Sequence, residues 1–258
     1  MLVQALTPIR VLLADECSDG GSMSPKTFAI ALLAIIVMMF DTVAAQNQLL
    51  EATTSPATSV GGESLEVTTG FVHVPELRTD ASASGKTIEL AVVRVRRASA
   101  ARPRSAHVIL AGGPGDSGVN LVMGLARRGG PAVWQLFDSD VIGIDQRGTG
   151  RSRPNLDTAV RYDLPLDKPG SMEEWLPRIR QASRHVADMF RARGVHLEAF
   201  NTRESADDVA DVARALGYER FTLWGRSYGS HLALATVSRY PVMPSIFRPC
   251  FLLTRGRQ

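Results

Sequence analysis

Gly225-Arg226-Ser227-Tyr228-Gly229 joins a short apolar run, Phe221 to Trp224, to a helical stretch, Tyr228 to Arg239. This junction constrains the fold more than any other segment. A strand that becomes a helix within one residue needs small neighbours on both sides of the turn. Gly225 leaves room for strained backbone, and Gly229 allows helix and strand to pack closely. The turn exposes the Ser227 hydroxyl. It also aims the helix N-terminus, with the N–H of Tyr228, at negative charge forming there. The G-x-S-x-G pattern alone is weak, and an ordinary glycine-rich turn is the bland alternative. The strand before it and the helix after it are the context of a nucleophile elbow.

Two further apolar runs, His107 to Ala111 and Val141 to Asp145, have the length and composition of buried parallel strands. Leu65 to Val74 and Thr87 to Val95 are β-rich, and the small polar stretch Asp80 to Lys86 reads as the hairpin loop between them. Ser171 to Arg193 is amphipathic, with Pro177 marking a helix start. Asn201 and Glu204 have capping-box spacing before a helix that carries Val209, Val212, Ala213 and Leu216 on one side and stops at Gly217. Strands alternating with helices predict an α/β fold, a mostly parallel sheet flanked by helices. At 258 residues, the chain is long enough for one such domain.

The N-terminal region reads as a leader. Lys26 precedes the apolar run Phe28 to Phe40, and Val43-Ala44-Ala45 follows, the pattern of a secretory signal peptide cleaved after Ala45. The run falls short of the roughly 20 apolar residues of a membrane span. Met23 is a natural start, with residues 1–22 as a misassigned extension and residues 46–64 as a flexible polar lead-in. Export to the periplasm or the medium is the expectation. A net charge of +3 gives no reason to expect nucleic acid, and the run Arg94, Arg96, Arg97, Arg102, Arg104 reads as a solvated strand end. Cys17 and Cys250 are the two cysteines, so the region between them has no disulfide framework or cysteine metal site. No metal and no cofactor are expected.

Two more motifs follow strands. In Gly112-Gly113-Pro114-Gly115, glycines let backbone N–H groups approach a reacting carbonyl oxygen. Pro114 has no N–H, which leaves Gly113 as the donor. A phosphate loop would end in Gly-Lys-Ser/Thr, which is absent, and a plain glycine turn remains open. In Asp145-Gln146-Arg147-Gly148-Thr149-Gly150, Asp145 and Arg147 are suited to fix a buried turn by charge-assisted hydrogen bonds.

In this order the three motifs resemble the α/β-hydrolase peptidases of the proline iminopeptidase and tripeptidyl aminopeptidase type. The likeness covers about residues 66 to 241. It implies Ser227 as nucleophile and the N–H groups of Gly113 and Tyr228 as the oxyanion hole. Gly112, Pro114, Gly115, Asp145, Arg147, Gly225 and Gly229 hold the surroundings. Implied substrates are peptides or small esters and amides. Ala111 stands where iminopeptidases carry histidine, which favours the tripeptidyl branch.

The resemblance implies an acid and a histidine after the elbow, and no histidine follows His231. Residues 242–258, with Pro244 and Pro249, read as an aberrant tail. The expectation is therefore the N-terminal part of an α/β-hydrolase fold, residues 65–241, lacking the cap and last strands. The elbow strand would be an exposed sheet edge, and Ser227 would lack a general base. The alternative is a non-catalytic remnant or binding module. His107 reads as a satisfied core histidine, and His231 as facing the packing side of its helix.

Overall fold

The computed structural model describes residues 49–78, 85–99, 105–137, 139–158, 160 and 170–242, with the backbone of 244–250. The leader read at 23–45, the extension before it, and Arg102 and Arg104 lie outside these residues.

Seven strands form one sheet: β1 (Leu50–Thr58), β2 (Ser64–Pro75), β3 (Thr87–Arg97), β4 (Ser105–Leu110), β5 (Asp140–Ile144), β6 (Arg220–Arg226) and β7 (Pro244–Cys250). Their order is β1-β2-β3-β5-β4-β6-β7. The predicted hairpin is present, with β2 antiparallel to β3 over Leu65↔Arg97 to Pro75↔Thr87. β3 runs antiparallel to β5, whereas β5, β4, β6 and β7 are mutually parallel. The sheet is thus mixed: an antiparallel meander is joined to a parallel half that carries all three motifs.

The helices are α1 (Gly118–Arg128), α2 (Pro131–Trp134), α3 (Met172–Ala192), α4 (Thr202–Ala215) and α5 (Tyr228–Arg239). α1 covers one face of the sheet, and α4 and α5 cover the other. On one face Leu90, Val108, Ile142 and Leu223 pack with Val209, Val212 and Ala213 of α4 and Leu232 and Ala233 of α5. On the other, Val67, Val93 and Val141 pack with Val119 and Val122 of α1 and with Trp134 and Phe137. β5 is buried along its whole length, as a parallel strand covered on both faces must be. Among the described residues no helix is long and apolar enough to cross a membrane.

Three readings of the sequence are corrected. Within the lead-in, residues 50–58 form β1, paired to β2 over Thr53↔Thr69 to Thr58↔Ser64. Most of its side chains face solvent, so no hydrophobic alternation announces it. Pro177 lies inside α3 rather than at its start. Ser171 caps that helix, with the reciprocal Ser171–Glu174 box. Residues 244–250 of the tail form β7, which pairs with β6. The elbow strand is therefore interior, and the two prolines sit in the last strand of the sheet, where a missing N–H is tolerated. The expected parallel sheet flanked by helices is present as β5, β4, β6 and β7, to which β1, β2 and β3 add antiparallel neighbours.

Candidate active site

The elbow is formed as its sequence requires. Ser227 has φ 52° and ψ −122°, a conformation a non-glycine residue adopts only under constraint. The constraint is packing on both sides. A Cβ on Gly225 would lie 2.5 Å from Ser230 Cα, and one on Gly229 would lie 2.1 Å from the Leu110 carbonyl oxygen. Ser230 Oγ donates to the Gly225 carbonyl at 2.9 Å, closing the turn. Ser227 is the N-cap residue of α5 but makes no capping hydrogen bond, and it is exposed. Its hydroxyl is not spent on the helix. Tyr228 opens α5, so its N–H has no acceptor within the helix.

The glycine loop lies against this turn. A Cβ on Gly112 would lie 3.1 Å from Ser227 Cβ and 3.2 Å from the Arg226 carbonyl oxygen. Gly113 and Gly115 hold φ values of 98° and 116°. Both elbow and loop follow neighbouring strands, since β4 pairs with β6 up to Leu110↔Gly225. That register brings Gly112 beside Ser227. An ion pair that the sequence did not suggest spans the same gap: Arg226 Nη2 lies 2.7 Å from Asp116 Oδ2.

Asp145 and Arg147 fix the third turn, but not by pairing with each other. Asp145 is fully buried. It accepts from Ser117 Oγ at 2.6 Å, Val119 N at 3.0 Å and Arg151 N at 2.8 Å, which ties the β5 end to the start of α1. Gly150 must be glycine, because a Cβ there would meet the Asp145 carboxylate at 2.2 Å. Arg147 is also buried and grips Asp208 of α4 with two nitrogens, at 2.8 and 2.7 Å. It donates further to the carbonyls of Pro75, Glu76 and Ala199.

Arg78 completes this network, reaching Glu204, Asp208 and Asp211 at 2.7, 2.8 and 2.7 Å. Burial alone would lower the Arg78 pKa, but these carboxylates outweigh it and raise it. The Asn201 side chain caps α4 by accepting from Glu204 N at 3.0 Å. The Glu204 carboxylate goes to Arg78 instead of back to the cap, so the capping box read in the sequence is half formed. Tyr228 Oη is 2.8 Å from Thr202 Oγ1, which anchors the elbow helix to the start of α4.

None of the described hydrogen bonds joins a histidine to Ser227. His73 pairs with Glu89 at 3.2 Å and His196 with Glu76 at 2.9 Å. His107 is buried, accepts from Trp224 Nε1 at 3.0 Å and stacks edge-on to Phe137, as a core histidine should. His185 is exposed on α3. His231 is exposed rather than packed inward, with its ring 5.9 Å from that of Tyr228. Among the described residues no three His, Cys, Asp or Glu side chains are placed to hold a metal ion.

A mixed sheet, a strained serine between a central strand and a helix, and a glycine loop beside it define a hydrolase architecture. The chain belongs to the α/β hydrolase fold family, which it matches over residues 108–254. It is 28% identical to a tripeptidyl aminopeptidase of Streptomyces lividans over 179 residues, 67% of this chain and 33% of that protein. It is 29% identical to serine protease Hip1 of Mycobacterium tuberculosis over 146 residues, 52% of this chain and 26% of that protein. Among solved structures, a proline iminopeptidase-related protein of Thermus thermophilus superposes with a TM-score of 0.36. It is 24% identical, covering 70% of this chain and 45% of that one. The chain thus spans about a third of the tripeptidyl aminopeptidase it matches.

Proposed function

We propose that this chain carries the nucleophile half of an exported serine aminopeptidase acting through an acyl-enzyme. Ser227 Oγ attacks the carbonyl carbon of a peptide bond, and the N–H groups of Gly113 and Tyr228 receive the oxyanion. The C–N bond then breaks, the serine proton leaves on the amine, and water hydrolyses the ester. The single observation behind this reading is Ser227 held at φ 52° with its side chain exposed and the glycine loop against it. The relatives named as tripeptidyl aminopeptidase and serine protease support the peptide class.

Among the described residues no histidine is hydrogen-bonded to Ser227, so no general base is assigned to it. A serine in such a turn with no paired base would acylate slowly and would not turn over amides. In a comparable triad, loss of the histidine costs about a million-fold, while the oxyanion hole retains a residual catalysis of about a thousand-fold over water.

The test is a fluorophosphonate probe with mass-spectrometric readout, beside a tripeptide nitroanilide assay. Slow labelling that disappears in Ser227→Ala, with no anilide release, is the expected result. Labelling that persists in Ser227→Ala would overturn the nucleophile assignment. Absence of labelling would make the chain a non-catalytic remnant. Rapid anilide release would place a working base within the chain. Export is checked by whether the mature protein begins at Gln46.

A further inference from the structure

The Arg226–Asp116 pair is unexplained by the fold. Both side chains are about half exposed, at 40% and 52%. Exposed pairs of this kind stabilise a protein by little, so its position matters more than its strength. Asp116 belongs to the glycine loop, and Arg226 immediately precedes the nucleophile. A Cβ on Gly112 would lie 3.1 Å from Ser227 Cβ and 3.5 Å from Asp116 Oδ2. The carboxylate and the nucleophile therefore flank one backbone position. A negative charge there opposes the oxyanion that the neighbouring N–H groups are meant to stabilise. Left unpaired, Asp116 would work against the site.

We propose that Arg226 is a positioning residue that draws Asp116 onto the elbow and cancels its charge beside the oxyanion donors. The inference rests on the assignment of Ser227 as nucleophile. Two functions follow from one contact. The pair tethers the glycine loop, so the Gly113 N–H keeps its place relative to Ser227. It also leaves the oxyanion facing a neutral pair instead of a carboxylate. Because the guanidinium stays paired while its partner is present, removing Asp116 frees a cation next to the developing charge.

The experiment uses the full chain and its residual reaction with a fluorophosphonate. There the Ser227 Oγ–P bond forms, the P–F bond breaks, fluoride leaves and the hydroxyl proton passes to water. The rate reads the oxyanion hole without needing turnover. Arg226→Gln slows phosphonylation about tenfold, because it leaves the carboxylate uncompensated. Asp116→Asn and the double variant lose the tether but leave no uncompensated carboxylate, so both stay within about threefold of wild type. A tether without a charge role would instead slow all three variants alike, and that result overturns the proposal.

Hydrogen exchange over residues 112–118 supplies the second readout, independent of Ser227 chemistry. Both single variants exchange faster there by a similar factor, with α5 unchanged. Unchanged exchange in both would show that the pair does not hold the loop, and would also overturn the proposal. If the wild-type chain shows no Ser227-dependent labelling, the nucleophile assignment fails and takes the charge role with it. The exchange result then reports on the tether alone.

Discussion

Gly229→Ala sets two magnitudes of opposite sign against each other. Gly229 is the second residue of α5, and helix propensity alone favours alanine there by about 1 kcal/mol. The structure argues the other way. The added Cβ would lie 2.1 Å from the Leu110 carbonyl oxygen and 2.7 Å from that of Ala111. Both obstructing atoms are backbone, one in the central strand β4 and one at the root of the glycine loop. Reaching an ordinary separation moves helix and strand apart by about 1 Å. Overpacking of this kind costs about 1–3 kcal/mol, and rigid neighbours place it at the upper end. The net is a loss of about 1–2 kcal/mol, a fall of about 5 °C in melting temperature for a domain of this size.

The same displacement carries Tyr228 N–H and Ser227 away from the glycine loop. A misplacement of about 1 Å can cost about a hundredfold in rate, so fluorophosphonate labelling falls by that order. Thermal and urea melts with a labelling time course measure both effects. Gly124→Ala in α1 is the control, because only the guanidinium of Arg128, the far end of a flexible side chain, stands in its way, at 2.9 Å. That variant gains stability. A Gly229→Ala protein melting at or above wild type would refute the steric argument, and with it the claim that this glycine sets the helix–strand distance.

Ser227→Gly removes side-chain strain at φ 52° and raises unfolding stability by about 1 kcal/mol while abolishing labelling; a lower melting temperature would count against stored strain. Arg147→Met leaves three backbone carbonyls and part of the Asp208 carboxylate without a donor, and destabilises by about 3–5 kcal/mol in urea melts. Arg147→Lys restores only part of this, because the two-nitrogen grip on Asp208 is lost. Asp207 gives a pH test: burial would raise its pKa, but Arg239 and Tyr240 outweigh burial and hold it below the ordinary aspartate range. Its stabilisation is complete above the unfolded pKa of about 3.9 and disappears as pH falls through the lower folded value. The stability gap between wild type and Asp207→Asn is accordingly flat from about pH 5 to 7 and closes in more acid solution. A gap unchanged at about pH 2.5 would disprove the coupling.

The parts of the fold legible in the sequence were those written locally. β4, β5 and β6 are short apolar runs ending at glycine-rich or polar turns, and Ser227 with its flanking glycines is a local steric requirement. The parts missed depend on partners far along the chain. β1 is a strand because its backbone pairs with β2, with Thr54 against Thr68 at 3.0 Å, and not because its exposed side chains alternate. β7 contains prolines and is a strand through its pairing with β6. The Arg78 network joins residues more than 120 positions apart, and charge pairs at that distance leave no periodic trace. Arg226 sat inside one recognised motif and Asp116 directly followed another, but their meeting required the register of β4 on β6. His231 was misjudged because its facing depends on how α5 is rotated on the sheet.

That register also fixes an order of assembly. β4 is central, yet its two neighbours are made much later in synthesis: β5 from residue 140 and β6 from residue 220. The β1–β2–β3 meander can pair as soon as it emerges, from local contacts. Val108 and Leu110, both buried in the finished sheet, must wait for Phe221 and Leu223. Such long-range pairing closes slowly and leaves apolar strand surface open meanwhile. The turn at Ser227 therefore forms only after β6 has been made and paired, and any protein that shields residues 105–110 until then would raise the yield of folded chain more than one that assists the meander.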